Sequence, residues 1–109
     1  MNVEQALSSI KDQSIDALKE EFLDLLSQAK KDKHDFTQFM AQQTSKALIF
    51  YAEGKISIED ATLVLKKGKK MAQIEANNAE IALLSRIHKI VYRLLDIAID
   101  ALLKAIIPL

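Results

Sequence analysis

The stretch "LLDIAIDALLKAIIPL", Leu94 to Leu109, most narrows what this chain can fold into, because it is too apolar for an ordinary surface helix. At about 100° per residue, Ser85, Arg86, Lys89, Arg93, Asp96, Asp100 and Lys104 fall in one narrow polar strip. Leucine, isoleucine, valine and alanine fill roughly 200° of the rest, about twice the usual apolar stripe. Such a helix needs neighbours on two sides. Two heptad-like lines run along it, one through Leu84, Ile87, Val91, Leu94, Ala98 and Ala101, the other through Leu83, Ile87, Ile90, Leu94, Ile97 and Ala101. A coiled-coil reading gives one line to the chain's own core and the other to a second chain.

Asp96, Asp100 and Lys104 interrupt this stretch, and each such charge costs roughly 2.5 to 3.5 kcal/mol at a bilayer centre, so a membrane span is not expected. The polar strip reads instead as a solvated edge, with Arg93 and Asp96, and Asp100 and Lys104, at the i,i+3 and i,i+4 spacings of helix-surface pairs.

Upstream, the chain is built from helix formers. Half of its 109 residues are hydrophobic but only 6% are aromatic, with 2 Gly and 1 Pro, a composition that favours helix over strand. Val3, Leu7, Ile10, Leu18, Phe22, Leu25 and Ala29 recur at helical spacing, so residues 3–30 read as one amphipathic helix whose stripe Ser14 interrupts. In "KKDKHD", residues 30–35, Asp35 is the expected cap of the next helix, with Gln38 at the reciprocal position. That helix, residues 36–53, is expected to present Phe36, Phe39, Met40, Ala47, Phe50 and Tyr51 on one face, with polar Gln43 inside the stripe.

Gly54 marks its end, and "ISIED" reads as a capping box in which Ser57 caps, Asp60 reciprocates and Ile56 staples to Ala61. The third helix, residues 57–76, carries a seam of Ala61, Leu65, Gly68, Ala72 and Ala79 flanked by Val64 and Met71. An interior glycine costs about 1 kcal/mol relative to alanine, which close approach of another helix at Gly68 would offset. "EANNAE" offers a break through an Asn in the left-handed region and a new start at Asn77, giving a fourth helix over 78–107, although an unbroken rod from 57 to 107 also fits. The architecture expected is an all-α, antiparallel bundle of three to four helices in a single domain, 1–109.

The second and third helices span only ~27 Å where the last reaches ~45 Å, so the last is expected to overhang its neighbours. Leu84, Ile87, Val91, Leu94, Leu95, Ala98, Ile99, Leu102, Leu103 and Ile106 are therefore assigned to a homo-oligomeric contact, a dimer being favoured. The competing reading is that the first helix covers this surface alone.

Nothing in the sequence points to catalysis. His34 and His88 lie far apart without metal-ligand spacing, and Glu20, Glu21 and Asp24 read as an exposed acidic face rather than a tuned acid-base pair. No nucleophile elbow or Gly-rich phosphate loop occurs, so no catalytic, cofactor or metal residue is assigned. The chain has no cysteine, and "MNVEQALSSIKDQ" lacks the basic and apolar regions of a secretory signal, so a cytoplasmic location is expected.

Lys66, Lys67, Lys69 and Lys70 form the one basic cluster, a candidate anion contact. With zero net charge and no interleaved aromatics, a plain charged face is preferred to nucleic-acid binding. Residues 1–29 hold six acids against two lysines, so acidic and basic surfaces could pair within or between chains. The function expected is that of a non-enzymatic helical interaction protein that self-associates through its last helix. The alternative is a membrane-surface or lipid binder, in which that helix opens onto the interface.

Overall fold

The computed structural model describes residues 1–10 and 15–106, with nothing placed for the side chain of Ile106. Every regular element among them is helical: α1 Val3–Ser8, α2 Ile15–Lys30, α3 Asp35–Ala52, α4 Ile58–Asn78, α5 Ile81–Arg86, a π-helical turn Ile87–Val91, and α6 Tyr92–Ile106. The all-α class is thus observed. They enclose one core of leucine, isoleucine, alanine and valine in a body of 43 × 24 × 21 Å.

The first amphipathic stretch is not one helix over 3–30. Asn2 and Gln5 form a reciprocal capping box, Oδ1 of Asn2 accepting the Gln5 N–H at 2.8 Å and Oε1 of Gln5 accepting the Asn2 N–H at 3.0 Å. Only six residues follow before Ser9 Oγ donates to the Ala6 carbonyl at 2.6 Å, and the chain leaves the helix. The short α1 packs against both α2 and α3, burying Ala6 and Leu7. The interruption expected at Ser14 lies outside the described residues.

The start of α3 is held by Asp32, not by Asp35. Asp32 Oδ1 accepts the His34 N–H at 2.9 Å, and Gln38 Nε2 donates to the Asp32 carbonyl, so the side chain that organises the turn sits two residues before the N-cap position. The buried face of α3 keeps Met40 and Ala47, with Phe36 and Tyr51 partly buried at its edge, but it is displaced from the expected one at other positions. Thr37, Met40, Ala41, Thr44, Ala47 and Leu48 face the core, while Phe39 and Phe50 are exposed. Thr44 can be buried because its hydroxyl donates to the Met40 carbonyl at 2.7 Å, which satisfies the polar group within the helix.

The turn into α4 is as the sequence describes it at two points. Gly54 takes the left-handed conformation, φ 75°, and Ser57 Oγ accepts the Asp60 N–H at 3.0 Å. Ala61, Leu65, Gly68 and Ala72 form the buried seam of α4, and it is the small residues that bring α6 close. A Cβ built on Gly68 would lie 3.1 Å from Leu95 Cδ2 and 3.3 Å from Met40 Cε, so the glycine is a packing residue. Ala79, expected in the seam, lies past the helix end, and Val64 and Met71 face outward.

The break between the last two helices is present, with different chemistry. No Asn is left-handed; Ala79 and Glu80 are extended, ψ 146° and 160°, and the helix restarts at Ile81. From there the backbone stays helical through the π turn, whose closing bond runs from the Tyr92 N–H to the Ile87 carbonyl. One extra residue in a turn shifts the phase of everything before it. Leu83 and Leu84 are accordingly only half-buried, whereas Ile87, Ile90 and Val91 are in the core.

The expected overhang of the last helix is corrected. Three helices, α2, α3 and α4, pack against α6, and α4 runs for 21 residues. Leu94, Leu95, Ile97, Ala98, Ala101 and Leu102 are all at most 1% exposed within a single chain. Of the apolar residues described beyond Leu95, only Leu103 is strongly exposed, at 46%. The third wall is α2, part of the stretch that the competing reading of the sequence has covering this surface.

Candidate functional site

Six of the ten residues assigned to an oligomeric contact are buried inside the chain. Ile87, Val91, Leu94, Leu95, Ala98 and Leu102 are core residues, Leu84 and Ile99 are half-buried, Leu103 is exposed, and Ile106 lies outside the described side chains. A second copy could reach the buried ones only after this helix left its own core.

The polar strip of α6 is bridged to helices on both sides. Arg93 Nη2 donates to Glu21 Oε1 of α2 at 2.7 Å, and Lys69 Nζ of α4 donates to Asp96 Oδ1 at 2.7 Å. Arg93 beside Glu21 holds that carboxyl below its ordinary value, chiefly by its hydrogen bond, which outweighs the upward push of desolvation and is reinforced by the guanidinium charge. Glu21 raises Arg93 in return. The acidic and basic surfaces noted in the sequence therefore each pair with α6 through one member, with α2 on one side of the strip and α4 on the other.

Two outward faces gather several of the charges that have no ion-pair partner among the described residues. On α4, Lys66, Lys67 and Lys70 are exposed and have no ion-pair partner among the described residues. Interleaved with them are Leu63 at 50%, Val64 at 45%, Met71 at 46% and Ile74 at 65% exposure, an apolar content unusual for an outer helix face. Leu63 also meets Leu103 of α6 in a shallow groove with Ile58 and Lys66. On α2, Asp16, Glu20 and Asp24 are exposed without ion-pair partners among the described residues, and Glu20, Asp24, Ala17 and Leu23 line a second shallow depression.

Of the candidate anion contacts, Lys69 is thus committed to Asp96, and Lys66, Lys67 and Lys70 stay available. The lysines stand on the solvated side, as the sequence indicates. By helical spacing Leu63 and Ile74 lie on the arc opposite Ala61, Leu65 and Ala72, while Val64 and Met71 flank the seam and are still 45% and 46% exposed.

A third feature is a groove of about 560 Å³ where α1, α2 and α3 meet, with Leu26, Ala41, Val3 and Ile49 in its wall and Lys30, Gln42 and Lys46 beside them. The histidines do not converge. His34 occupies the N-cap position of α3, and His88 packs its ring against Tyr92, centroids 5.3 Å apart. Among the described residues no three His, Asp or Glu side chains are placed to hold a metal ion, and no helix is long and apolar enough to cross a membrane. Comparison with protein-family models, with curated proteins and with solved structures gives no match to this chain.

Proposed function

We propose that this chain is a non-enzymatic interaction protein that self-associates through the outer face of α4, with the acidic face of α2 from a second copy as its counterpart. The observation that carries this reading is the pair of unpartnered, oppositely charged helix faces, Lys66, Lys67 and Lys70 against Asp16, Glu20 and Asp24, on a chain of zero net charge. Leu63, Val64, Met71 and Ile74 give the basic face apolar surface whose burial stabilises a complex, and the charges fix which surface it meets. The contact joins two different surfaces, so unless a two-fold axis repeats it between the same two copies it builds a ring or an open chain.

Light scattering after size-exclusion chromatography tests this. The wild type is expected to associate in the micromolar range and to dissociate as salt rises. Lys66→Glu/Lys70→Glu and Glu20→Lys/Asp24→Lys are each expected to remain monomeric alone and to associate when mixed. A wild type that stays monomeric throughout, or a mixture that does not associate, overturns the reading.

A second reading rests on the same α4 face. Lysines flanking large apolar residues on a helix also suit an anionic membrane surface. Cosedimentation with phosphatidylglycerol vesicles, lost in Leu63→Asp/Ile74→Asp, supports it; failure to sediment with either anionic or neutral vesicles removes it.

A further inference from the structure

We infer that the groove between α1, α2 and α3 binds a small amphiphilic anion, a carboxylate carrying a single aliphatic tail. The volume, about 560 Å³, lies within the range of roughly 300 to 1,000 Å³ common to small-molecule sites. Its charge is one-sided. Lys30 comes from the last turn of α2 and Lys46 from the middle of α3, neither has an ion-pair partner among the described residues, and no acidic side chain lines the groove.

The rest of the wall is mostly apolar, with Val3, Leu26, Ala41 and Ile49, and it also holds Asn2, Gln38 and Ser45, whose buried hydroxyl has no hydrogen-bond partner among the described residues. An inorganic anion would satisfy the ammonium groups and leave that wall wet. A neutral hydrocarbon would cover the wall and draw nothing from the two charges. A carboxylate with a tail uses both, since lysine stems lie along apolar surface while their heads reach outward. Gln42, exposed on the same wall, adds amide donors beside the ammonium groups.

This site lies away from the α4 face but shares α2 with the proposed counterpart surface, so its test uses a chain that cannot self-associate. Octanoate, 1-octanol and acetate are titrated into the full chain, kept monomeric by Lys66→Glu/Lys70→Glu, and amide shifts are followed by NMR. Octanoate is expected to saturate with shifts confined to α1, α2 and α3, while acetate gives no saturable response and octanol binds more weakly. Lys30→Gln and Lys46→Gln are each expected to weaken octanoate roughly two- to five-fold, the size of an exposed ion pair. Gln42→Trp, at an exposed position, is expected to fill the groove and abolish binding.

Phosphatidylglycerol vesicles separate a free amphiphile from a bilayer. Vesicle binding without saturable octanoate binding overturns the inference. So do octanol binding equal to that of octanoate, octanoate shifts centred on α4, or octanoate binding that survives Gln42→Trp.

Discussion

Arg93 of α6 holds Glu21 of α2 with two donors, Nε on Oε2 and Nη2 on Oε1, across 72 residues of sequence. The pair joins the helix that carries the acidic face to the helix at the centre of the core. Because Arg93 lowers the folded-state pKa of Glu21 from its ordinary 4.5, the unfolded chain binds the proton more readily than the folded one. The stabilisation is complete above 4.5 and is lost as pH falls through the lower, folded value. Both side chains are about two-fifths exposed, 43% and 41%, so solvent screening limits the pair to about 1 kcal/mol or less. Urea titrations are expected to show Glu21→Gln less stable than wild type by that amount at pH 7, with the difference vanishing on the acid side of 4.5.

Gly68 of α4 faces Leu95 of α6 and Met40 of α3. Alanine there gains about 1 kcal/mol of helix propensity but places its Cβ 3.1 Å from Leu95 Cδ2 and 3.3 Å from Met40 Cε. Both neighbours are ends of flexible side chains and can shift by a few tenths of an ångström. Gly68→Ala is therefore expected to lie within about 1 kcal/mol of wild type. Gly68→Val adds two further carbons to a packed seam and is expected to destabilise by about 1 to 3 kcal/mol. Thermal melts of the two variants give the comparison directly.

The contrast between α4 and α3 shows what the sequence makes legible. In α4 the seam of Ala61, Leu65, Gly68 and Ala72 is marked by residue size and is buried as read. In α3 the aromatic residues suggested a face, but threonine can be buried once its hydroxyl bonds back to the helix, as Thr44 does, and the true face runs through Thr37, Met40, Thr44 and Leu48. Hydropathy ranks Phe above Thr and carries no information about that bond. The end of α1 was hidden for a related reason: the apolar spacing continues past Ser9, and only a side chain bonded to the Ala6 carbonyl marks where the helix stops.

The α6 helix teaches a different lesson about the site. Its apolar arc is as broad as the sequence indicates, but width alone does not tell whether the cover comes from the same chain or another. Here α2, α3 and α4 supply it, so truncating Leu94 or Ile97, at 1% and 0% exposure, removes core packing. Leu94→Ala and Ile97→Ala are each expected to lose about 2 to 5 kcal/mol of folding stability. Light scattering and denaturation on the same samples separate the roles: the unfolding midpoint falls, while the association state of the fraction that remains folded is unchanged. Loss of association without loss of stability would return these residues to an interface.

Asp32 is the one buried carboxylate among the described residues, 8% exposed, at the turn between α2 and α3. Its Oδ1 accepts the His34 N–H, while Oδ2 has no hydrogen bond and lies 3.4 Å from Arg86 Nε of α5. Arg86 therefore balances a charge that the protein itself has desolvated on one side. Removing the arginine leaves the buried carboxylate uncompensated, whereas changing both partners removes the charge that needed balancing. Arg86→Gln is expected to destabilise the wild type by about 1 to 3 kcal/mol, the range for a group left unsatisfied on burial, and to do so less in the Asp32→Asn background. Asp32→Ala, which also frees the His34 N–H, is expected to lose about 1 to 2 kcal/mol, as for a lost helix cap. A double-mutant cycle in urea measures the coupling: equal effects of Arg86→Gln in both backgrounds would show that the guanidinium does not compensate Asp32.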